Sequence, residues 1–318
     1  MAFHVMPYQD ARDLDALLAL TAAASTSGAR HGYYEPGDVV WQMFQWPPLV
    51  FDPAEHIFIW HDDADTDGTP VGFAWADGPS EAIFQLHPRM RANAQGSALL
   101  DAMIAWGEER ARQANATRME IPALEDDTLY DAALQRHGFT RGQPSEVVFQ
   151  QRLADSIPAP TLPDGWTVRP IVGPTEYDQR VELHRAVWRP SRVTLEAYER
   201  LRAAPLYRPD LDLVVVSPEG AFAAYCICWY DAANHAGEFE PVGVHRDFRR
   251  RGFGKIVVQE GLRRLQALGA TLASVTPAAS GNSEKFVAAA AHGLYASAGF
   301  TVVNTWYVYH HEWGSNQG

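Results

Sequence analysis

One stretch of this chain constrains its fold more than any other. Residues 238–255 read EFEPVGVHRDFRRRGFGK, in which an apolar, β-prone run from Phe239 to Val244 enters an arginine-rich turn that contains Arg249-x-x-Gly252-x-Gly254. A segment with helical periodicity, from about Lys255 to Leu268, follows directly. Glycines let a backbone approach an anion closely, and the N–H groups and dipole of a helix N-terminus attract it. The pattern predicts a strand, a phosphate-binding loop and a helix.

The run Arg249-x-x-Gly252-x-Gly254 does not match the sequence patterns of two common phosphate-binding loops. A nucleotide-triphosphate loop continues its glycines with Lys and Ser or Thr, and a dinucleotide loop needs a third glycine. The run instead resembles the acyl-CoA-binding motif of the GNAT superfamily of N-acetyltransferases. In that family an R/Q-x-x-G-x-G/A loop holds the CoA pyrophosphate, and the backbone of the preceding strand binds the pantetheine arm.

This resemblance implies a set of residues that bind acetyl-CoA. They are Val242, Gly243, Val244, Arg249, Arg250, Arg251, Gly252, Phe253, Gly254 and Lys255. Asn282 resembles a family asparagine that contacts the cofactor arm, although it lies 13 residues before Tyr295, a longer spacing than the family has. No metal is implied.

A second motif downstream strengthens the resemblance. Residues 294–300 read LYASAGF and precede a strand-like run at 301–310, similar to the LYxxxGF segment that ends the last long helix of a GNAT domain. Gly299 suits a helix C-cap, and Phe300 would enter the core. The resemblance implies that Tyr295 faces the cofactor sulfur and protonates it, while the alternative is a tyrosine that only packs.

The whole pattern occurs twice. HPRMRANAQGSALL at 87–100 aligns without gaps on HRDFRRRGFGKIVV at 245–258, an offset of about 158 residues. The Pro-rich stretch at 154–165 is a suitable linker. We therefore predict two tandem α/β domains at 1–155 and 156–318, each with a mixed, mostly antiparallel sheet flanked by helices, as in tandem mycothiol synthase-like GNAT proteins.

The first copy has lost residues that the second keeps. Ala94 stands where the second copy has Gly252, and Leu134 stands where it has Tyr295. A methyl group at a glycine-only position opposes close approach to a phosphate. We expect the first domain to be a degenerate scaffold and pocket wall, with acetyl-CoA bound once, in the second domain.

Transfer of an acetyl group to an amine needs a base, because an alkylammonium with a pKa near ~10 is almost fully protonated at pH 7. Glu238 and Glu240 alternate along one face of the strand that leads to the loop, so both can reach one cleft. Glu238 occupies the acidic position of the mycothiol synthase pattern. Either glutamate is a candidate base, and the alternative is that they orient substrate.

Charge and composition limit the classes of molecule that the protein can be expected to bind. The formal net charge of −13 argues against nucleic acid and modestly favours a cationic substrate. The N-terminus lacks a signal peptide and no segment resembles a membrane span, which predicts a cytoplasmic protein. The two cysteines, Cys226 and Cys228, share one strand face and are expected to be buried and free.

The leading interpretation is a monomeric acetyl-CoA-dependent N-acetyltransferase that acts on a small-molecule amine within one ternary complex. A non-catalytic acyl-CoA-binding or interaction protein is the alternative. An acyltransferase with another acyl donor or acceptor would use the same residues. The sequence leaves the acceptor open.

Overall fold

The computed structural model of the protein describes residues 3–26, 33–64, 68–92, 94–154, 156–279 and 285–313. The helices in these ranges are α1 (Ala11–Thr26), α2 (Pro36–Phe44), α3 (Pro53–His56), α4 (Pro88–Arg91), α5 (Ala94–Gln113), α6 (Thr128–Arg136), α7 (Tyr177–Val187), α8 (Leu195–Arg202), α9 (Phe253–Ala267) and α10 (Lys285–Ala298). The strands are β1 (Phe3–Pro7), β2 (Ile57–Asp62), β3 (Gly72–Trp75), β4 (Ile83–Leu86), β5 (Arg118–Leu124), β6 (Thr140–Arg152), β7 (Thr167–Pro170), β8 (Asp212–Val216), β9 (Phe222–Asp231), β10 (Ala236–Val244), β11 (Leu272–Val275) and β12 (Thr301–Glu312).

The predicted strand, loop and helix are β10, the arginine–glycine turn and α9. The predicted helix C-cap is also present, since Gly299 has φ of +104° and ends α10. The matching Gly138 has φ of +80° and follows α6. Phe139 and Phe300, which come next in the two copies, are both buried. The internal repeat of the sequence is therefore a repeat of local structure.

The two halves exchange their last strands. One sheet has four strands in the order β1-β2-β3-β4, and the other has eight in the order β5-β12-β6-β11-β10-β9-β8-β7. Strand β6 of the first half pairs antiparallel with β11 of the second, and β12 of the second pairs antiparallel with β5 of the first. A single parallel bridge, Glu81 to Glu120, connects the four-stranded sheet to β5. Each half therefore completes its sheet with a strand from the other.

The predicted fold class, mixed and mostly antiparallel sheets flanked by helices, is confirmed. The exchange of strands between the two halves is a further feature that the sequence repeat does not reveal. The domain limits 1–155 and 156–318 stay a prediction, because the eight-stranded sheet crosses that limit. No helix or strand lies between residues 156 and 165, where the linker was expected.

Helices cover both faces of the second half's sheet. Helix α9 packs on β8, β9 and β10 and is joined by α10. The other face carries α7 and also α2, which belongs to the first half and contacts β9, β10 and α8. Val40 and Trp41 of α2 pack in one apolar cluster with Ile227 and Trp229 of β9. The first half thus contributes a helix to the second half's sheet.

Cys226 and Cys228 are buried on β9, free, and have sulfur atoms 3.7 Å apart, as the sequence predicts. They belong to the apolar cluster beneath α9. Among the described residues, no helix has the length and apolar composition that a membrane crossing requires.

Candidate active site in the C-terminal half

Strands β10 and β11 diverge and open a cleft. They run parallel and pair only at Ala236 to Glu238 of β10, opposite Leu272 to Ser274. Beyond a register shift after Phe239, β10 continues as Val242, Gly243 and Val244, which pair with β9 on the other side. The edge of β10 that faces the cleft therefore presents backbone groups that β11 does not bind. This is the arrangement expected for the strand that binds the pantetheine arm.

The N-terminus of α9 lies at the end of this cleft. Its N-cap is Gly252 in the left-handed conformation, with φ of +83°, and no side chain caps the helix. A Cβ at Gly252 would meet nothing within 4 Å, so backbone conformation rather than space requires glycine there. Arg250 also has positive φ, at 64°. The first N–H groups of α9 remain available to an anion.

Three exposed arginines surround this helix end. The Nε of Arg249 donates to the carbonyl oxygen of Val244 at 3.4 Å, and the guanidinium of Arg251 lies 5.6 Å from the Phe248 ring centroid. Within the described ranges, none of Arg249, Arg250 and Arg251 forms an ion pair with a carboxylate. Their positive charge is therefore uncompensated by the protein and favours a phosphate.

Two predicted cofactor residues face the core. Phe253 is 2% exposed and stacks on Trp166, with ring centroids 4.1 Å apart. A Cβ at Gly254 would lie 3.1 Å from side-chain atoms of Val244 and of Leu294, so this glycine lets α9 approach β10 and α10. Contact with a ligand would come from their backbone. Lys255, in the same turn, is partly exposed, and Asn282 lies outside the described residues.

Tyr295 lies on α10 and is buried beside the rings of Phe149 and Phe300. Its hydroxyl forms no hydrogen bond with a described residue. Burial raises the pKa of Tyr295, and the nearby Glu240 raises it further, so the phenol stays protonated at neutral pH. It is a neutral donor available to a ligand.

Glu238 and Glu240 lie on the same side of β10, while Phe239 between them enters the core. Their neighbours differ. Glu240 influences the ionisation of Tyr295, whereas the strongest influences on Glu238 are burial and the carboxylate of Asp38. The charge of Glu240 thus acts on the tyrosine, and the Glu238 carboxylate lies beside Gly37 of α2.

Three further carboxylates from the first half meet these glutamates, and the sequence analysis missed them. Glu35 and Asp38 form a capping box at the start of α2, in which the Asp38 side chain accepts the Glu35 N–H at 3.0 Å. Glu35 also accepts a hydrogen bond from the Ser274 hydroxyl at 2.8 Å. Glu146 comes from β6. A glutamate beside the apolar run Val147 to Phe149 and the box-like spacing of Glu35 and Asp38 were the available signals.

Burial raises the pKa of every member of this group, and repulsion from Asp38 raises the pKa of the other four further. Burial, then Asp38, raises the pKa of Glu35 and of Glu240 from 4.5 to about 8. The same causes raise the pKa of Glu146 to about 7. The pKa values of Glu238 and Asp38 are also raised, mainly by burial. A proton acceptor with a pKa near neutrality suits general base catalysis.

Comparison with known proteins agrees with this geometry. Residues 177–300 match the family model described as Acetyltransferase (GNAT) family. This segment is a GNAT domain. It contains the cleft, the arginine–glycine loop, both glutamates and Tyr295, and the match supports an N-acetyltransferase.

Relatives extend the likeness over both halves. Mycothiol acetyltransferase from Saccharomonospora viridis is 24% identical over 252 residues, which are 74% of this chain and 77% of that protein. A GCN5-related N-acetyltransferase from Sphaerobacter thermophilus has a TM-score of 0.63 at 20% identity, covering 98% of this chain and 95% of that one. A tandem GNAT protein of the clavulanic acid biosynthesis pathway has a TM-score of 0.61 at 20% identity, covering 98% and 99%. The predicted tandem GNAT architecture is confirmed.

The first GNAT-like half keeps the local structure of the loop but uses its residues differently. His87 and His245 both accept a backbone N–H two residues ahead, at 3.1 and 3.3 Å. Arg91, which aligns with Arg249, is mostly buried and binds Asp127 at 2.6 Å. Asp127 also accepts the Tyr33 hydroxyl at 2.9 Å. Arg91 therefore pairs with a carboxylate of the protein itself, whereas its counterpart Arg249 is exposed to a possible phosphate.

Proposed function

We propose that the protein transfers the acetyl group of acetyl-CoA to a small-molecule amine, with the chemistry in the C-terminal half. The observation that carries this proposal is the combination of the uncapped N-terminus of α9, the uncompensated arginines beside it and the open edge of β10. These features fit a pyrophosphate joined to an extended arm. Acetyl-CoA supplies the acetyl group as a thioester.

The loop residues would hold the phosphates. Gly252 exposes backbone N–H groups, and Arg249, Arg250 and Arg251 add charge-assisted hydrogen bonds. Backbone groups from Val242 to Val244 would bind the arm on the open edge. One of their N–H groups would also stabilise negative charge on the thioester oxygen.

Glu240 is the proposed base. Its charge acts on Tyr295, and a pKa near 8 allows it to accept a proton from an incoming ammonium without remaining permanently charged. The free amine then attacks the carbonyl carbon. Glu238, which the family pattern favours, is the alternative base through an intervening water, and it otherwise holds the acceptor.

Tyr295 is the proposed acid. When the carbon–sulfur bond breaks, the thiolate needs a proton, and a buried neutral phenol beside the open strand can donate one. Cytoplasmic location and action as a monomer are part of the same proposal. The similarity to a mycothiol acetyltransferase supports the transfer of an acetyl group to a small molecule.

An assay of thiol release tests this function. Acetyl-CoA is incubated with the protein and a panel of primary amines, and free CoA is followed with a thiol reagent. We expect amine-dependent release, and we expect Tyr295→Phe to lower kcat by about 10²–10⁴-fold while acetyl-CoA affinity holds. Tyr307→Phe, the same change at a partly exposed tyrosine of β12, is a control that should keep kcat. Release that no amine stimulates would contradict the proposal.

A further inference from the structure

The carboxylates at α2 and β10 form one group, which we call the acidic cluster. Its members are Glu35, Asp38, Glu146, Glu238 and Glu240. Asp38 interacts electrostatically with each of the other four. The cluster therefore joins three residues of the first half to two of the second, directly beside the proposed catalytic residues.

No positive side chain of the described residues compensates this charge. Asp38 and Glu238 form a hydrogen bond with each other, which raises the pKa of Glu238. The Ser274 hydroxyl and the Glu35 backbone N–H donate two more hydrogen bonds to the cluster, and no Arg, Lys or His in those ranges pairs with any member. Burying several charged carboxylates without a cation costs free energy, and because of this cost the carboxyl groups retain protons. The missing component is a positive charge.

Glu238 marks the position of that charge. Its side chain is only 6% exposed, and its Oε2 atom has no hydrogen-bond partner among the described residues. The Oε2 atom would lie 2.4 Å from a Cβ at Gly37, in the first turn of α2. A small cavity borders Glu238 together with Glu35, Trp229 and Asp231. An unpartnered buried carboxylate beside a cavity indicates a ligand with a donor there.

Geometry favours an organic cation over a metal ion. In the described part of the chain, no group of three or more His, Cys, Asp or Glu side chains has the arrangement to hold a metal. An ammonium group makes longer hydrogen bonds, at about 2.8 Å, and binds carboxylates that do not converge on one point.

We infer that the acidic cluster recognises an acceptor carrying at least two positive charges, so that the substrate is a diamine or polyamine. The inference rests on the proposed function. The reacting nitrogen must lose its proton before it attacks, so at that moment it no longer neutralises the cluster. A second ammonium keeps its proton and remains bound by Asp38, Glu35 and Glu238. Asp38 and Glu35 are then specificity residues that the first half supplies.

The kinetic test compares putrescine and spermidine with n-butylamine as acceptors. We expect kcat/KM for putrescine to exceed that for n-butylamine by at least about tenfold, the size of effect that one partly buried charge pair gives. Asp38→Asn keeps an acceptor for the Glu35 N–H but removes the charge, and it should abolish most of this preference. Asp15→Asn, an exposed change in α1 of the same half, should leave the preference intact.

Two outcomes overturn the inference while the proposed function stands. In one, the wild type acetylates n-butylamine as well as putrescine. In the other, Asp38→Asn weakens both amines equally. Should Asp38→Asn fail to fold, Glu35→Gln, which keeps a partner for Ser274, takes its place under the same criteria.

Calorimetric titration of putrescine in the presence of CoA separates the two proposals. Putrescine that binds the wild type but not Asp38→Asn, without any amine being acetylated, would support diamine recognition by the acidic cluster but contradict both the proposed function and the role of the diamine as substrate. Absence of putrescine binding to the wild type overturns the inference. Displacement of putrescine by an equivalent concentration of Mg²⁺ would make the cluster a metal site and would also overturn it.

Discussion

The acidic cluster predicts that the protein without acceptor loses stability as the solution becomes mildly alkaline. A carboxyl group whose folded pKa is raised favours the folded state below its unfolded pKa, and this contribution disappears as pH rises through the folded pKa. The unfolded value is 4.5, and the folded values reach about 7 for Glu146 and about 8 for Glu35 and Glu240. The free energy of unfolding should therefore fall between about pH 5 and pH 8.5.

The expected size follows from these values. At about 1.4 kcal/mol per pKa unit, Glu35 alone would contribute on the order of 5 kcal/mol. The other members share Asp38 as a neighbour, so their contributions are not additive, and we assign roughly 5 kcal/mol to the whole cluster. At about 2 °C per kcal/mol, Tm should fall by about 10 °C.

Thermal unfolding across this pH range, at constant ionic strength, measures the effect. Asp38→Asn removes the charge that all other members experience but leaves their burial, the larger cause, unchanged, so it should reduce the fall in Tm only in part. Asp15→Asn lowers the net negative charge equally and controls for general repulsion. A Tm that does not fall, or equal profiles for the two variants, would refute the reasoning.

Three other changes test the structure. Arg91→Leu removes the guanidinium that pairs with the buried Asp127 carboxylate and should lower the free energy of unfolding in urea by about 3–5 kcal/mol, without changing acetyl-CoA affinity. A fragment starting at Leu162 lacks β6, exposes edges of β11 and β12, and should aggregate on gel filtration; a soluble, fully active fragment would contradict this. Gly37→Ala would place a methyl too close to the side chains of both Trp229 and Glu238, so both must shift, and it should raise KM for the amine more than for acetyl-CoA.

Local features of the fold were predictable because short segments determine them. The sequence predicted the strand, loop and helix around Gly252, the C-cap at Gly299 and the buried Phe300, and the structure contains all three. Each depends on a special backbone conformation or on alternation along one element. The repeat predicted the tandem GNAT architecture for the same reason.

Long-range features were not predictable in this way. The residues of β12 alternate along the strand, which suits a sheet of either half, so the sequence does not reveal that β12 pairs with β5. Glu35 and Asp38 have an ordinary helix-capping pattern, and only the packing of α2 on β10 gives them a place in the site. Packing likewise determines that the Phe253 side chain and the Cα of Gly254 face the core, while their predicted binding of acetyl-CoA through the backbone stays a prediction.

Titration of acetyl-CoA into the full chain tests the central claim most directly, namely that the C-terminal half binds acetyl-CoA at the loop before α9. Gly252→Val changes only a left-handed residue with open space around it, at φ of +83°, and a non-glycine residue there costs about 1–2 kcal/mol. Gly220→Val is the matched control, with φ of +87° and equally open space in the turn between β8 and β9. We predict one site per chain, weakened about tenfold or more by Gly252→Val and unchanged by Gly220→Val. Two equivalent sites, or a Gly252→Val variant that binds like the wild type, would contradict the account.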